Sequence, residues 1–146
     1  MEMPVFTIRG KNHRERGVDY GVQCKELIQG VLERYIRFFN GGHTAVSWDE
    51  AKVISKEFLP FIHSYSPELL DELEGIAQGA DVEFDDLLTL NSRSEAMTLV
   101  RRPPSDKEEL DGCSSVAVLP DASANGHTIL AQNWDTYTWQ EYGTVI

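Results

Sequence analysis

Cys113 follows a glycine directly, within Leu110-Asp111-Gly112-Cys113-Ser114-Ser115, and opens a short β-prone run, Ser114-Ser115-Val116-Ala117-Val118-Leu119-Pro120. A turn over residues 121–126 closes on Asn125-Gly126, a dipeptide suited to tight hairpins. A second β-prone run comes next, His127-Thr128-Ile129-Leu130-Ala131-Gln132-Asn133-Trp134-Asp135. The two runs read as a hairpin whose return strand carries Asn133 and Asp135 back towards Cys113. A thiol at a strand start, with a carboxylate returned beside it, is an arrangement for nucleophilic catalysis. Composition alone favours the plainer reading of a small buried cysteine in an ordinary hairpin, because free cysteine is commonly a core residue. The rest of the chain has to decide between them.

The other reactive side chains offer less. Cys24 falls on an apolar helical stripe and reads as an inert core thiol. Two cysteines do not make a secreted disulfide framework, so reduced thiols in a reducing compartment fit best. The four histidines, His13, His43, His63 and His127, lie far apart without paired ligand spacing, and no metal site is expected. Asn91-Ser92-Arg93-Ser94-Glu95 is a polar patch ending an apolar helix. It reads equally as a solvated terminus or as a buried network around Arg93 and Glu95.

The elements that would position these groups are helical first and β-stranded later. Val5-Phe6-Thr7-Ile8 alternates like a short strand, and Asn12 is placed to cap a helix starting at residue 13. Residues 13–39 then read as one long helix. Val18, Cys24, Leu27, Ile28, Val31, Leu32, Tyr35, Ile36 and Phe39 recur at spacings of three and four. Gly17 and Gly21 sit one turn apart on that helix, each costing about 1 kcal/mol against alanine, which implies close backbone packing on another element. Asn40-Gly41-Gly42 ends the helix with a left-handed cap. Ser47-Trp48-Asp49-Glu50 is a capping box that starts a second helix over residues 48–63. In that helix Val53, Ile54, Phe58, Phe61 and Ile62 are expected to be buried, and Pro60 marks a kink or early end. Ser66-Pro67 starts a third helix, running to Gly79, with proline at its first position. A fourth covers residues 84–90. Residues 101–112, with Pro103-Pro104 and Asp106-Lys107-Glu108-Glu109, read as an exposed linker suited to chain scission beside Gly112-Cys113. The chain ends on β-branched residues without a stop signal, which reads as a cut through a sheet.

Composition excludes several classes. The 146 residues carry 13 basic and 24 acidic side chains, a net charge of −11, which is the wrong sign for a nucleic-acid surface. Hydrophobic residues make up 41%, as in a globular protein. No apolar run approaches a membrane span, and Met1-Glu2-Met3-Pro4 has no signal-peptide character. A cytoplasmic protein without nucleic-acid or membrane partners is the expectation.

Five pieces together resemble the acyl-coenzyme A:6-aminopenicillanic-acid acyltransferase (isopenicillin N acyltransferase) family of N-terminal-nucleophile hydrolases. They are Gly17-x-x-x-Gly21, Gly75-Ile76-Ala77-Gln78-Gly79-Ala80, Leu90-Asn91-Ser92-Arg93-Ser94-Glu95, Asp111-Gly112-Cys113-Ser114-Ser115 and Gln132-Asn133-Trp134-Asp135. They occur in the family's order over nearly the whole chain. The resemblance implies an α+β fold, the N-terminal part of a four-layer αββα sandwich, with a helical first piece and a β-hairpin after Cys113. It implies a zymogen that cuts itself between Gly112 and Cys113 and persists as a non-covalent heterodimer. Residues 1–112 would be the helical α-chain region and residues 113–146 the incomplete start of the catalytic β-chain, whose remainder is then a partner.

The activity so implied is that of a self-processing cysteine acyltransferase or amidohydrolase. It would act on small-molecule linear amides or acyl thioesters through an S-acyl enzyme. The resemblance makes Cys113 the nucleophile and Asp135 the active-site aspartate. Ser115 and Asn133, and less directly Arg93 and Glu95, are supporting candidates. Trp134, Tyr137, Trp139 and Tyr142 are candidates to line an acyl pocket, although aromatic residues in strands are more often core. No cofactor is implied, with acyl-coenzyme A a possible co-substrate. A hydrolase of bile-salt, penicillin V or N-acylethanolamine type is the second enzymatic reading. A truncated, non-catalytic helical interaction module is the third.

Overall fold

In a computed structural model, residues 4–99 and 113–133 are described. They fall into two units, one helical (4–99) and one β-stranded (113–133). The expected linker over 101–112, and Gly112 itself, lie outside the described residues.

The helical unit is built on a backbone-to-backbone crossing. Helix α1 (His13–Gln23) packs along α5 (Pro67–Ala80). The crossing is made by four glycines, Gly17 and Gly21 against Gly75 and Gly79. A Cβ on Gly17 would lie 2.1 Å from the Glu72 carbonyl oxygen, and one on Gly75 would lie 2.3 Å from that of Arg14. No side chain fits there, which explains why glycine's helical cost is tolerated twice on each element. The expected close packing of Gly17 and Gly21 is therefore found, and its partner is the glycine pair of α5. Ion pairs flank it: Arg14 with Glu74, and Arg16 with Glu72 at 3.5 Å.

The long helix expected over 13–39 is interrupted. Helix α2 (Lys25–Phe38) begins after Cys24, where φ is −105° and ψ is 13°. Helical bonding runs up to the break and resumes from it, with Cys24 N–H donating to Tyr20 O and Ile28 N–H donating to Cys24 O, each at 2.9 Å. The interruption lets α1 stay against α5 while α2 also packs on α6 (Phe84–Asn91). Gln29 of α2 donates from Nε2 to Ala80 O at 2.9 Å, satisfying a carbonyl at the end of α5. The cap after α2 is as expected: a π-helical turn, Phe39–His43, contains Gly42 at φ 79°.

Ser47 and Glu50 form the complete capping box that opens α3 (Trp48–Lys56). The second expected helix is also two, because α4 (Leu59–Tyr65) begins separately with Pro60 in its first turn. Val53 and Phe61, expected in the core, are 67% and 73% exposed, while Ile54, Phe58 and Ile62 are half-buried. Phe61 lies beyond the break, in α4, whereas Val53 lies within α3 on the side away from its buried face. The buried face of α3 is instead Trp48, Ala51 and Ser55. Trp48 stacks edge-on against Phe39, and its Nε1–H donates to Asp86 Oδ1 at 2.8 Å; Lys52 pairs with the same carboxylate. This knot fixes α3 on α6.

The core between these helices holds Cys24, Ile28, Ala77, Ala80 and Leu87. Val5-Phe6-Thr7-Ile8, expected as a strand, belongs to no strand among the described residues. It lies along α1 instead, with Gln23 Nε2 donating to Thr7 O at 3.1 Å and Arg9 N–H donating to Asp19 Oδ2 at 2.7 Å. No described helix is long and apolar enough to cross a membrane.

The second unit is an antiparallel hairpin of β1 (Ser115–Val118) and β2 (Ile129–Gln132), in register Ser115↔Gln132 through Val118↔Ile129. A 3₁₀ turn, Pro120–Ala122, and Gly126 at φ 70° reverse the chain between them. The described fold is thus mostly helical with one two-stranded sheet, an α+β pattern.

Candidate active site

The hairpin register decides which residues meet. Ser115 opposes Gln132, so the next rung places Ser114 against Asn133. Asn133 N–H donates to Ser114 O at 2.9 Å. The return bond of that rung is unusual. Ser114 N–H donates at 2.6 Å to Asn133 Oδ1, a side-chain oxygen, where a regular antiparallel rung would use the main-chain carbonyl. Cys113 is the next residue outward, and it is exposed. The return strand therefore does bring Asn133 to the open end of the hairpin, one residue from Cys113. Ser115 is exposed at the start of β1. Asp135, the other proposed catalytic residue, and the aromatic candidates Trp134, Tyr137, Trp139 and Tyr142 lie outside the described residues.

Cys24 contrasts with Cys113 throughout. Its residue is 2% exposed, and burial pushes its thiol above the usual range. Tyr20 beside it is raised too, first by burial and then by the neighbouring Cys24. Both line an apolar cavity of about 240 Å³ with Ile28, Leu73 and Leu87. A thiol held protonated among hydrocarbon is a packing residue, as its place on the stripe predicted.

Arg93 and Glu95 belong to the helical unit. Arg93 lies over the Tyr35 ring, 4.9 Å from its centroid, and donates from Nη1 to Leu90 O at 2.6 Å. Asn91 Nδ2 donates to Leu87 O at 3.0 Å, and Ser92 Oγ donates to Leu88 O at 2.8 Å. Three consecutive side chains thus satisfy carbonyls at the end of α6, leading into α7 (Arg93–Leu99). Ser92 also reaches Ser55, a fully buried hydroxyl, at 2.8 Å. Glu95 is exposed in the first turn of α7. The patch is partly the expected network, centred on Arg93 and Ser92, and partly a solvated terminus at Glu95.

The five pieces that carry the resemblance sort into two kinds. Gly17-x-x-x-Gly21 and the segment from Gly75 to Ala80 pack on each other, and the segment from Leu90 to Glu95 caps α6. Those three build the helical unit. The remaining two meet at the hairpin end through Ser114 and Asn133. Residue types alone do not single out Ser114, whose importance lies in its main-chain amide. The pairing of Ser114 with Asn133 follows from the register of the two strands, which residues 119–128 connect after Val118↔Ile129.

No protein-family model matches the sequence. The chain is similar to the β-alanyl-dopamine/carcinine hydrolase of Drosophila melanogaster, 28% identical over 123 residues that make up 80% of this chain and 30% of that protein. It is similar also to the 40 kDa form of acyl-coenzyme A:6-aminopenicillanic-acid-acyltransferase of Emericella nidulans, 30% identical over 125 residues, 82% of this chain and 32% of that protein. The chain spans about a third of the length of these curated relatives. It is thus related at a distance to an amide hydrolase and an acyltransferase, without matching a particular member.

Proposed function

We propose that the chain carries the processing site and nucleophile of a self-processing cysteine amidohydrolase or acyltransferase. The observation that carries this reading is the exposed Cys113, held at the open end of the hairpin by the Ser114–Asn133 rung. Similarity to a hydrolase and to an acyltransferase supports it, because both activities named there move an acyl group.

In the first reaction the Cys113 thiolate attacks the Gly112 carbonyl carbon. The peptide C–N bond breaks, the leaving nitrogen takes a proton, and a thioester forms. Water then hydrolyses the thioester, releasing the Gly112 carboxylate and regenerating the thiol. Cleavage frees the α-amino group of Cys113. That group has an ordinary pKa of about 7.7–8.0, so a base near neutrality appears on the nucleophile's own residue. No histidine is then required. The mature Cys113 thiolate attacks an amide or acyl thioester, expels the amine or thiol, and passes the acyl group to water or an amine. Asp135 orients the α-amino group and stabilises its protonated form. Amides of small amines are the first substrates to try, with acyl-coenzyme A as a donor.

The test is activity of the full-length gene product towards such amides and acyl thioesters. Cys113→Ala abolishes it, and Cys24→Ala leaves it within a few-fold of wild type. Turnover that survives Cys113→Ala would sink the proposal. Substrate profiling separates this reading from a bile-salt or penicillin V type of hydrolase.

A further inference from the structure

We infer that the Asn133 carboxamide is the positioning residue of the Cys113 site, an inference that rests on the reading of Cys113 as nucleophile. The geometry is a two-point clamp. Asn133 accepts the Ser114 N–H on Oδ1 at 2.6 Å and donates its own N–H to Ser114 O at 2.9 Å. The first bond fixes the plane of the Cys113–Ser114 peptide. The rotation about the Cys113 Cα–C bond is then restricted, and with it the direction in which the α-amino group and thiol point.

The chemistry calls for such a clamp. Before processing, the Cys113 sulfur has to meet the carbonyl of the residue immediately preceding it. After processing, Cys113 is a chain terminus, and termini fray unless tied down. Residue 114 is then the last anchored position before the nucleophile. The regular ladder ends one rung earlier, at Ser115↔Gln132. The Asn133 side-chain oxygen, together with the main-chain bond to Ser114 O, extends the anchoring by one residue. Asn133 acts through the backbone and does not touch substrate.

The substitutions separate acceptor from bulk. Asn133→Ala removes Oδ1. Asn133→Asp keeps an acceptor oxygen in the same place. Processing is followed as a time course in the full-length gene product, and turnover of the mature enzyme is measured across pH. Asn133→Ala slows processing by about tenfold to a hundredfold, as expected for a reacting group misplaced by about an ångström. It lowers kcat with little change in KM, because the reacting group moves and the substrate contacts stay. Asn133→Asp restores both rates to within about threefold at its own pH optimum. That optimum shifts upward, since a carboxylate near the thiol disfavours the thiolate. Equal loss in both variants, or processing of Asn133→Ala at the wild-type rate, overturns the inference and leaves the Cys113 reading intact. A full-length wild type that never processes or turns over overturns the Cys113 reading, and the role of Asn133 falls with it.

Discussion

The two thiols of this chain are separated by their surroundings. Cys113 is exposed and Cys24 is 2% exposed, so a thiol reagent should label one cysteine quickly in the native protein and both in denaturant. Mass mapping of the first adduct checks this, and a first adduct at Cys24 would contradict it. Burial raises the folded-state pKa of Cys24 and of Tyr20. Each group then keeps its proton in the folded state at a pH where the unfolded chain has lost it. Stability is therefore expected to fall as pH rises above about 8.5, where an unfolded cysteine ionises. Cys24→Ala should flatten the start of that decline in a series of unfolding curves. The place of Cys24 was legible from the apolar spacing alone. The Asn133–Ser114 clamp was not, because it depends on a main-chain amide and on the register of two strands, and residue types report neither.

At the scale of elements, the glycine crossing of α1 and α5 is the feature that rigidifies the helical unit. Alanine at Gly17 gains about 1 kcal/mol of helix propensity. It also drives a methyl into the Glu72 carbonyl, which cannot rotate away. Gly17→Ala should therefore destabilise the unit by about 1–3 kcal/mol net, read as a lower urea midpoint with an unchanged slope. The capping box of α3 makes a pH-dependent contribution. The Ser47 N–H, and then the Ser47 hydroxyl, hold the Glu50 carboxyl below its usual range. A depressed carboxylate stabilises the fold fully above the ordinary carboxyl pKa and loses that effect as pH falls through the depressed value. Glu50→Gln should accordingly reduce the loss of stability on acidification.

Caps, glycines and prolines made the helix starts legible. Asn12 and Ser47 cap their helices through side-chain bonds, and Ser66 precedes α5 without one, the helix start there being marked by Pro67. Pro60 marked the break between α3 and α4, whereas the interruption at Cys24 was not legible. Apolar spacing continues through Cys24, and without a proline there only packing against a second helix distinguishes the broken helix from a straight one. Val5-Phe6-Thr7-Ile8 failed as a strand for a related reason: alternation marks a chain with two different faces, and here the segment lies along α1, tied by Gln23 and Asp19.

Across the whole molecule the two units differ in how they are covered. The helical unit encloses a core, whereas Val116, Ile129 and Leu130 of the hairpin are 56%, 46% and 76% exposed. A two-stranded hairpin is marginal in water unless packed or extended by further strands. In the 146-residue chain, the amides of β1 and β2 should exchange with solvent much faster than those of α1 and α5. Comparable protection in both would mean the hairpin is covered after all. The measurement that bears most directly on the central claim is the intact mass of the full-length gene product beside its Cys113→Ala variant. Two fragments parting between Gly112 and Cys113 in the wild type, with a single uncut chain in the variant, is the predicted result. An uncut wild type, or a variant that cleaves at the same bond, would contradict it.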